Sequence, residues 1–449
     1  MHSVFTNANI IANQIYKAHE NFLEEVKDYL TKYPNTQHID IYLNDINGAI
    51  RGKRISVESL FSLNQGCYFP LSVYSMDMHG RVLEHDQHDG SSDEPDRLCL
   101  PVKGTLRPCA RDPQHHAQLL LTMMNPDSSS CILEPRTILE NVLSKLHQKG
   151  LYPVVAAEIE FYLTSNHTSD EGSSGCFQLD ASSRHTRFID DIEALAHEQY
   201  LPLTGIVAEA EANQFELNLR HSDKVVEACE NVLAIKRMTR LVAEKHGYNA
   251  NFMAKPFAHL AGSGLHFHIS LCNSRGDNIF RSPSEKPNCI MRRCLAGMLS
   301  LMPASIAIVA PNVNSYRRLR KSLDEPLFGS WGYNNRSAAL RIPCSDDNNR
   351  RIEYRLAGAD ANPYLVMATI LTGMLYGLEK SHEHSLPPAC AESSDIPLFQ
   401  QLAIENFRQC DYLTTSLGKE FSQIWISCKT SELATFESMV TPAEGAWRY

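Results

Sequence analysis

The sequence lacks the features that mark several large classes of protein. It has 42 lysines and arginines against 52 aspartates and glutamates, which gives a formal net charge of −10. This balance argues against a nucleic-acid partner, because phosphate binding needs clustered basic side chains. No C-x-x-C pair occurs, and the odd number of cysteines, 13, leaves at least one unpaired in any disulfide scheme. We therefore expect reduced thiols and a cytoplasmic location.

The sequence also shows no pattern typical of a secretory signal or a membrane-spanning segment. The opening residues, MHSVFTNANIIANQIYKAHENFLEEV, mix polar side chains into every turn and contain no apolar core of a signal peptide. The most apolar long stretch, residues 295–311, is interrupted by Pro303 and is short for a bilayer. We predict no membrane role.

The residues that are present indicate a large α+β protein. A chain of 449 residues, 43% of them hydrophobic, is long enough for two or three domains. The first region, residues 1–128, contains an amphipathic helix and short strand candidates at 38–43 and 67–76. The second region, residues 129–449, has longer helical patterns, and we predict a domain boundary between the two.

Three helices can be predicted within the second region. One begins near residue 134 and ends at Gly150, and another is capped by Ser222 and ends at Gly247. A third begins at Pro363 and is apolar on nearly all sides, which predicts a buried helix.

Charged and apolar side chains alternate along the strand candidates of the second region. Successive side chains of a strand point to opposite faces, so each of these strands has one apolar face and one polar face. Residues 154–163 place Glu158 and Glu160 on one such face. Glu209 lies seven residues before Glu216, across a turn or bulge. The other residues on polar faces are Gln214, Glu216, Asn218, His266, His268, Ser270, Arg341, Arg351, Glu353 and Arg355.

These faces together predict a polar cavity on a sheet. Each motif alone is more typical of a solvated sheet face, structural histidines or a salt-bridged arginine cluster. In combination, the carboxylates and histidine favour Mg²⁺ or Mn²⁺, and the arginines, which include Arg318 and Arg336, favour phosphate or carboxylate groups. No P-loop and no H-E-x-x-H motif is present. The residues alone leave phosphoryl transfer and metal-dependent hydrolysis as alternatives.

Six strings between residues 157 and 365 resemble the glutamine synthetase family. They are AEIEFYL, EAEANQFE, GSGLHFHISL, NSYRRL, NNRSAALRIP and RIEYRLAGADANPYL. The resemblance implies an N-terminal β-grasp domain and a C-terminal catalytic domain with a curved antiparallel sheet and flanking helices. It also implies a homo-oligomer, a dodecamer of two hexameric rings, and an ATP-dependent ligase that activates glutamate as γ-glutamyl phosphate before an amine attacks.

The resemblance implies a role for each matching position. Two or more Mg²⁺ or Mn²⁺ ions per subunit are implied, one held by Glu160, Glu209 and Glu216 and another by Glu158, His266 and Glu353. The ATP-binding residues would be His268, Ser270, Arg336, Arg341 and Arg351. The glutamate-binding residues would be Gly262, Gly264, Arg318 and Arg355. The catalytic residues would be Arg336, which stabilises the transferring phosphoryl group, and Asp324.

Departures from the family pattern concern the amine. Asp324 in SLDEP replaces a flap glutamate, and the ammonium-site aspartate is missing from the matching stretch CYFPLSVYSMD. Asp89, in a D-G-S-S string, is a second replacement candidate.

The strings RGKRISVESLF and SWGYNNRSAALRIPC are more similar to γ-glutamylpolyamine synthetases, so a polyamine such as putrescine is the leading hypothesis for the acceptor. The alternatives are an ammonium-using glutamine synthetase, a metal-dependent amidohydrolase, and a catalytically silent, ring-forming structural member of the family.

Overall fold

The computed structural model describes residues 22–83, 95–165, 176–177, 185–282, 286–320, 328–380, 386–391 and 394–445. These residues fall into two compact units. The first takes in the described parts of Met1–Asp45, Ala49–Tyr74 and Asp86–Glu134, and the second those of Ile46–Gly48, Ser75–His85 and Pro135–Tyr449. The domain boundary between residues 128 and 129 stays a prediction.

The first unit contains a mixed sheet and the helix α1, residues 22–32. Its strands run in the order β2-β1-β6-β4-β3, with β5 beside β6, and the central pair β1 and β6 is parallel. A parallel central pair agrees with the β-grasp expectation. The strands are β1 His38–Asn44, β2 Ile50–Ser56, β3 Cys67–Pro70, β4 Asp96–Pro101, β5 Arg107–Pro108 and β6 His116–Met123.

The strand predicted over residues 67–76 is only partly correct. Pairing ends at Pro70, and Leu71–Ser75 forms a 3-10 turn whose Val73 and Tyr74 side chains are buried. Proline supplies no N–H to a ladder, so extended pairing stops readily at such a residue.

The second unit is built around a sheet with the strand order β13-β14-β15-β11-β7-β9-β8, and β10 also pairs with β7; we call this the large sheet. Neighbouring strands are antiparallel, as expected, except that β13 and β14 run parallel. The strands are β7 Tyr152–Ser165, β8 Leu203–Ala208, β9 Gln214–Leu219, β10 Tyr248–Asn251, β11 Leu265–Cys272, β13 Trp331–Tyr333, β14 Leu340–Ile342 and β15 Ile352–Tyr354. A separate pair is formed by β12 Phe328–Gly329 and β16 Ser394–Asp395.

The described part of this unit also contains helices. They are α2 Pro135–Gln148, α3 Thr186–Glu198, α4 Val225–Lys245, α5 Cys289–Val309, α6 Val313–Arg320, α7 Pro363–Glu379, α8 Gln400–Gln409, α9 Asp411–Leu417, α10 Lys419–Glu437 and α11 Pro442–Gly445. Of these, α3 and α4 contact the large sheet. The predicted ends of α2 and α4 are confirmed, since Gly150 and Gly247 follow them with φ of +71° and +76°. The predicted cap is wrong by two residues. Lys224 is the N-cap of α4, and the Ser222 hydroxyl accepts a hydrogen bond from the Lys224 N–H in a local turn.

Helices α5 and α7 cross with their backbones in close contact. The predicted burial of α7 is confirmed along nearly its whole length. A β-carbon at Gly377 would lie only 1.9 Å from the Arg293 carbonyl oxygen, and one at Gly297 would lie 2.3 Å from that of Gly373. Among the described residues, α5 is the one helix long and apolar enough to cross a bilayer, but 78% of its apolar stretch is buried inside the protein.

Candidate active site

The register of the large sheet brings polar residues of five strands, β7, β9, β11, β14 and β15, onto one face. Residues directly opposite each other in neighbouring strands share a face, so each pair places two side chains together. Glu158 lies opposite both His266 and Asn218, and Glu160 lies opposite Glu216. Farther along, Glu353 lies opposite both His268 and Arg341.

The opposite face of the same strands is apolar and fully packed. Val155, Ile159 and Phe161 of β7 are buried, as are Phe267 and Ile269 of β11. The predicted alternation is therefore confirmed in both strands. Because a one-residue slip would exchange the two faces, this packing fixes which side chains enter the polar site.

Glu158 lies at the centre of the site. Its Oε1 atom is 2.8 Å from His268 Nε2, and its Oε2 atom is 3.8 Å from His266 Nδ1. Burial raises the pKa of this carboxyl, but hydrogen bonding to His266 and His268 outweighs that effect and holds the pKa well below its usual range. Glu158 is therefore charged.

Two groups of side chains among the described residues could each hold a metal ion, and Glu158 belongs to both. One group is Glu158, His268 and Glu353, and the other is Glu158, Glu216 and His266; within each, the ligand atoms lie within 4.8 Å of one another. This grouping differs from the expected one, in which Glu160, Glu209 and Glu216 share an ion. His268, which was expected to bind ATP, lies beside the carboxylates instead, because strand pairing places it directly opposite Glu353.

At the other end of the site, neighbouring carboxylates repel one another. Burial, together with repulsion from Glu160, raises the pKa of Glu209 to about 7. Burial, with repulsion from Glu158 and Glu160, raises the pKa of Glu216 to about 9. Crowded oxygen donors of this kind fit a hard divalent cation, which would remove the repulsion. The donor set therefore fits Mg²⁺ or Mn²⁺.

The residues Gly262–Gly264, here called the glycine loop, are joined to the carboxylates. The Gly264 N–H donates to Glu160 Oε2 at 2.8 Å, and Gln214 Nε2 donates to the Gly262 carbonyl at 2.8 Å. A β-carbon at Gly264 would lie 2.6 Å from His266 Nε2 and 2.9 Å from Arg318 Nη2. The site therefore needs glycine at this position for close packing.

Two arginines hold Glu353 from opposite sides. Arg341 Nη1 lies 2.6 Å from Glu353 Oε2, and Arg355 Nη1 bonds to Oε1. Burial raises the pKa of Glu353, but the neighbouring histidines and both arginines lower it below the usual value. Arg351 Nε donates to His268 Nδ1 at 3.2 Å, which leaves the proton of a neutral His268 on Nε2, facing Glu158. These arginines are thus arranged around the carboxylate and histidine cluster.

Other predicted site residues bond mainly to the main chain. Arg318 is buried and donates to the carbonyl oxygens of Leu356 at 3.0 Å and Arg355 at 3.1 Å. The Ser270 hydroxyl donates to the Arg350 carbonyl at 3.0 Å.

Arg336 lies close enough to Glu209 to lower the pKa of that carboxyl in part, and its carbonyl accepts from Arg355 Nε at 3.0 Å. Asp324 and Asp89, the predicted candidates for the amine site, lie outside the described residues.

Several side chains that support the site were not predicted. Asn334 Oδ1 accepts from Arg341 Nη2 at 2.6 Å, and Glu211 Oε1 accepts from the Ala261 N–H beside the glycine loop. Lys236 is buried in α4. It lies at helical spacing from Cys229 and Val232, on the apolar face of that helix. A lysine at a buried position is unusual, so the sequence could have marked Lys236 as a residue with a specific partner.

The raised pKa values predict that metal binding strengthens as pH rises. At about pH 6 the metal-free protein keeps protons on Glu209 and Glu216, and a cation must displace them. Protonation of Glu209 and Glu216 stabilises the folded protein, and this stabilisation is lost as pH rises through about 7 to 9. At high pH the charged carboxylates repel one another, and a bound cation relieves that repulsion. We expect the Mn²⁺-induced increase in melting temperature to grow from pH 6 to pH 9. A shift that stays constant over this range would contradict the prediction.

Comparison with known proteins agrees with the geometry of the site. A family model described as the glutamine synthetase catalytic domain matches residues 133–448. The chain is 44% identical to the gamma-glutamylputrescine synthetase of Escherichia coli (strain K12) over 98% of both chains. It is 28% identical to a glutamate–isopropylamine ligase of a Pseudomonas species, over 93% of this chain and 95% of that one. The solved structure of ligand-free GmaS superposes with a TM-score of 0.81 at 26% identity, covering 92% of this chain and 97% of that one. The chain therefore belongs to the glutamine synthetase family.

Proposed function

We propose that this protein is an ATP-dependent carbon–nitrogen ligase that joins the side-chain carboxylate of glutamate to an amine, with a polyamine such as putrescine as the acceptor. The observation that carries the chemistry is the single polar face of the large sheet, where carboxylates, histidines and arginines meet. The 44% identity to a gamma-glutamylputrescine synthetase, over 98% of both chains, supports the acceptor.

The carboxylates and histidines would hold Mg²⁺ or Mn²⁺. In our assignment, the ion ligands are Glu158, Glu160, Glu209, Glu216, His266 and Glu353. The ions would neutralise charge on the phosphate oxygens during transfer. Glu158 belongs to both groups whose ligand atoms are close enough to hold an ion, although one of them includes His268, which we assign to ATP.

Cationic side chains would bind the two anionic substrates. Guanidinium groups bind phosphate and carboxylate oxygens in pairs and remain charged at any relevant pH. Arg336, Arg341 and Arg351 are assigned to ATP with His268 and Ser270, and Arg336 also to the transferring phosphoryl group. Glutamate is assigned to the glycine loop, Arg318 and Arg355. Transfer of the γ-phosphoryl group of ATP to the glutamate side-chain carboxylate then gives γ-glutamyl phosphate and ADP. The amine attacks the acyl carbon, loses a proton and displaces phosphate, which leaves the amide.

The proposal includes the assembly that the resemblance implies and the location that the cysteines indicate. We infer a dodecamer of two hexameric rings and a cytoplasmic protein, without a nucleic-acid or membrane partner. Consistent with this, all 13 cysteines lie in the described residues and none forms a disulfide.

The acceptor can be identified by comparing amines in one assay. Phosphate release from ATP is measured with Mg²⁺ and glutamate while ammonium, putrescine, spermidine, ethanolamine and a monoamine are supplied in turn. We expect a polyamine to give a kcat/KM at least about tenfold above that of ammonium, equivalent to ~1.4 kcal/mol of transition-state binding.

Each alternative predicts a different result in this assay. Turnover with ammonium alone would identify a glutamine synthetase and make Asp324 and Asp89 the residues to replace. Hydrolysis of an amide without consumption of ATP would identify an amidohydrolase. Mn²⁺ binding without any turnover would indicate a structural member of the family.

A further inference from the structure

Lys236 is a buried lysine outside the groups assigned to substrates and metals. It lies on α4 and is 6% exposed, and its Nζ atom donates to the Ala359 carbonyl at 2.6 Å. The Phe252 ring lies beside it, with the ring centroid 5.4 Å from Nζ. A buried ammonium group is costly unless its hydrogen bonds are made, so this contact fixes both partners.

The environment of Lys236 disfavours the charged form of its amine. Burial, with repulsion from Arg240, lowers the pKa of Lys236 to about 7, while Asp360 acts in the opposite direction. The amine keeps N–H donors in both its charged and its neutral form, and a buried carbonyl that loses its donor costs free energy. The Ala359 carbonyl is therefore held firmly to α4.

Residues 357–359 lie along the glycine loop. The Ala359 N–H donates to the Ser263 carbonyl at 3.0 Å, and the Leu265 N–H donates to the Ala357 carbonyl at 2.9 Å. An isolated bridge also pairs Gly358 with Gly264. Lys236 and Ser263 are thus bonded to the two polar groups of one residue, Ala359.

The same segment also holds the helix that carries Arg318. Asp360 Oδ2 accepts from Asn312 Nδ2 at 2.7 Å and from the Ser315 hydroxyl at 2.8 Å, at the start of α6. Arg318 itself donates to the carbonyl of Leu356. A shift of residues 357–360 would therefore move both the glycine loop and Arg318.

We propose that Lys236 is a positioning residue for glutamate, acting through Ala359 to set the place of the glycine loop and of Arg318. This inference rests on the proposed function, in which those two elements bind glutamate. The hydrogen bond of Lys236 to Ala359 and its contact with the Phe252 ring involve no residue assigned to a substrate or a metal ion. The loss of Lys236 should weaken glutamate binding more than ATP or metal binding, although the glycine loop also bonds to Glu160.

The substitution Lys236→Met tests this role, because methionine fills much of the apolar stem and removes the donor. We expect the KM for glutamate to rise about tenfold while the KM values for ATP and the amine change less than about twofold. The glutamate-induced increase in melting temperature, measured with Mg²⁺ and ADP present, should shrink accordingly, and this second readout requires no turnover.

Lys429→Met is a matched control. Lys429 is also a buried lysine, and its Nζ lies 2.6 Å from Asn47 Oδ1 and 2.9 Å from Glu432 Oε2. Its loss should lower the melting temperature and leave the KM for glutamate as it was. Should the methionine variant at position 236 fail to fold, Lys236→Gln keeps a donor on a shorter stem and should raise the same KM to a smaller degree.

The proposal is overturned if the Lys236 variant keeps the wild-type KM and thermal shift for glutamate. It is also overturned if KM for ATP rises equally, or if the Lys429 control shows the same change. A wild-type protein that forms no γ-glutamyl amide would instead contradict the proposed function, so the two failures can be distinguished.

Discussion

Replacing Glu158 with glutamine is expected to lower kcat/KM by on the order of a thousandfold, about 4 kcal/mol of transition-state stabilisation. Glu158 is shared by both groups that could hold a cation, so one substitution weakens both. Glutamine has nearly the same shape, but its neutral amide is a poor ligand for Mg²⁺ and cannot replace the charge. Steady-state phosphate release with saturating metal measures the effect.

The control for Glu158→Gln is Glu227→Gln. Glu227 is a half-exposed carboxylate on α4 that pairs with Lys224 at 3.3 Å. This change should alter activity by less than about twofold, as surface ion pairs contribute little. Calorimetric titration with Mn²⁺ should show weaker binding only in the Glu158 variant. Activity within tenfold of wild type in the Glu158 variant would refute its central role.

The second large effect concerns stability. Gly377→Ala should destabilise the second unit by about 3 kcal/mol, because an added β-carbon would collide with the Arg293 carbonyl oxygen. Alanine is otherwise favoured over glycine in a helix by about 1 kcal/mol, so any loss of stability reports the collision. Since α5 and α7 meet through backbone atoms, no side chain can rotate away to relieve it. Chemical denaturation monitored by circular dichroism measures the change.

Gly205→Ala provides the comparison for this variant. Gly205 lies in β8, its φ is not positive, and a β-carbon there would meet nothing within 4 Å. We expect its midpoint of unfolding to match that of the wild type within experimental error. Equal midpoints for Gly377→Ala and Gly205→Ala would show that the helices can separate at no cost, against our expectation.

Alternation along the strands allowed much of the site to be predicted from sequence. The period of two separated Glu158 and Glu160 from Val155 and Ile159, and the structure keeps them on opposite faces. The helix ends at Gly150 and Gly247 could also be predicted from local sequence, because a glycine with positive φ ends a helix by its own conformation. Signals of this kind depend on neighbouring residues alone.

The details that sequence did not provide depend on register and on tertiary contacts. Strand pairing decides that His268 faces Glu353, and no property of either residue reveals this. The hydrogen bonds of Arg318 to main-chain carbonyls come from a segment almost forty residues away along the chain. Lys236 owes its role to a carbonyl even farther along the chain, that of Ala359, 123 residues away. Such pairings are set by the packing of the whole unit.

The strand order of the large sheet also constrains when the site can form during synthesis. Glu158 pairs with a strand that begins at Leu265, and that strand pairs in turn with one that begins at Ile352. Closing such long loops is slow and costs entropy before any contact is gained. A nascent chain that ends before Glu353 has its first acidic strand but lacks the last partner. Early folding must therefore proceed without the complete cation site, although β9 and β11, the neighbours of β7 in the sheet, have by then been made.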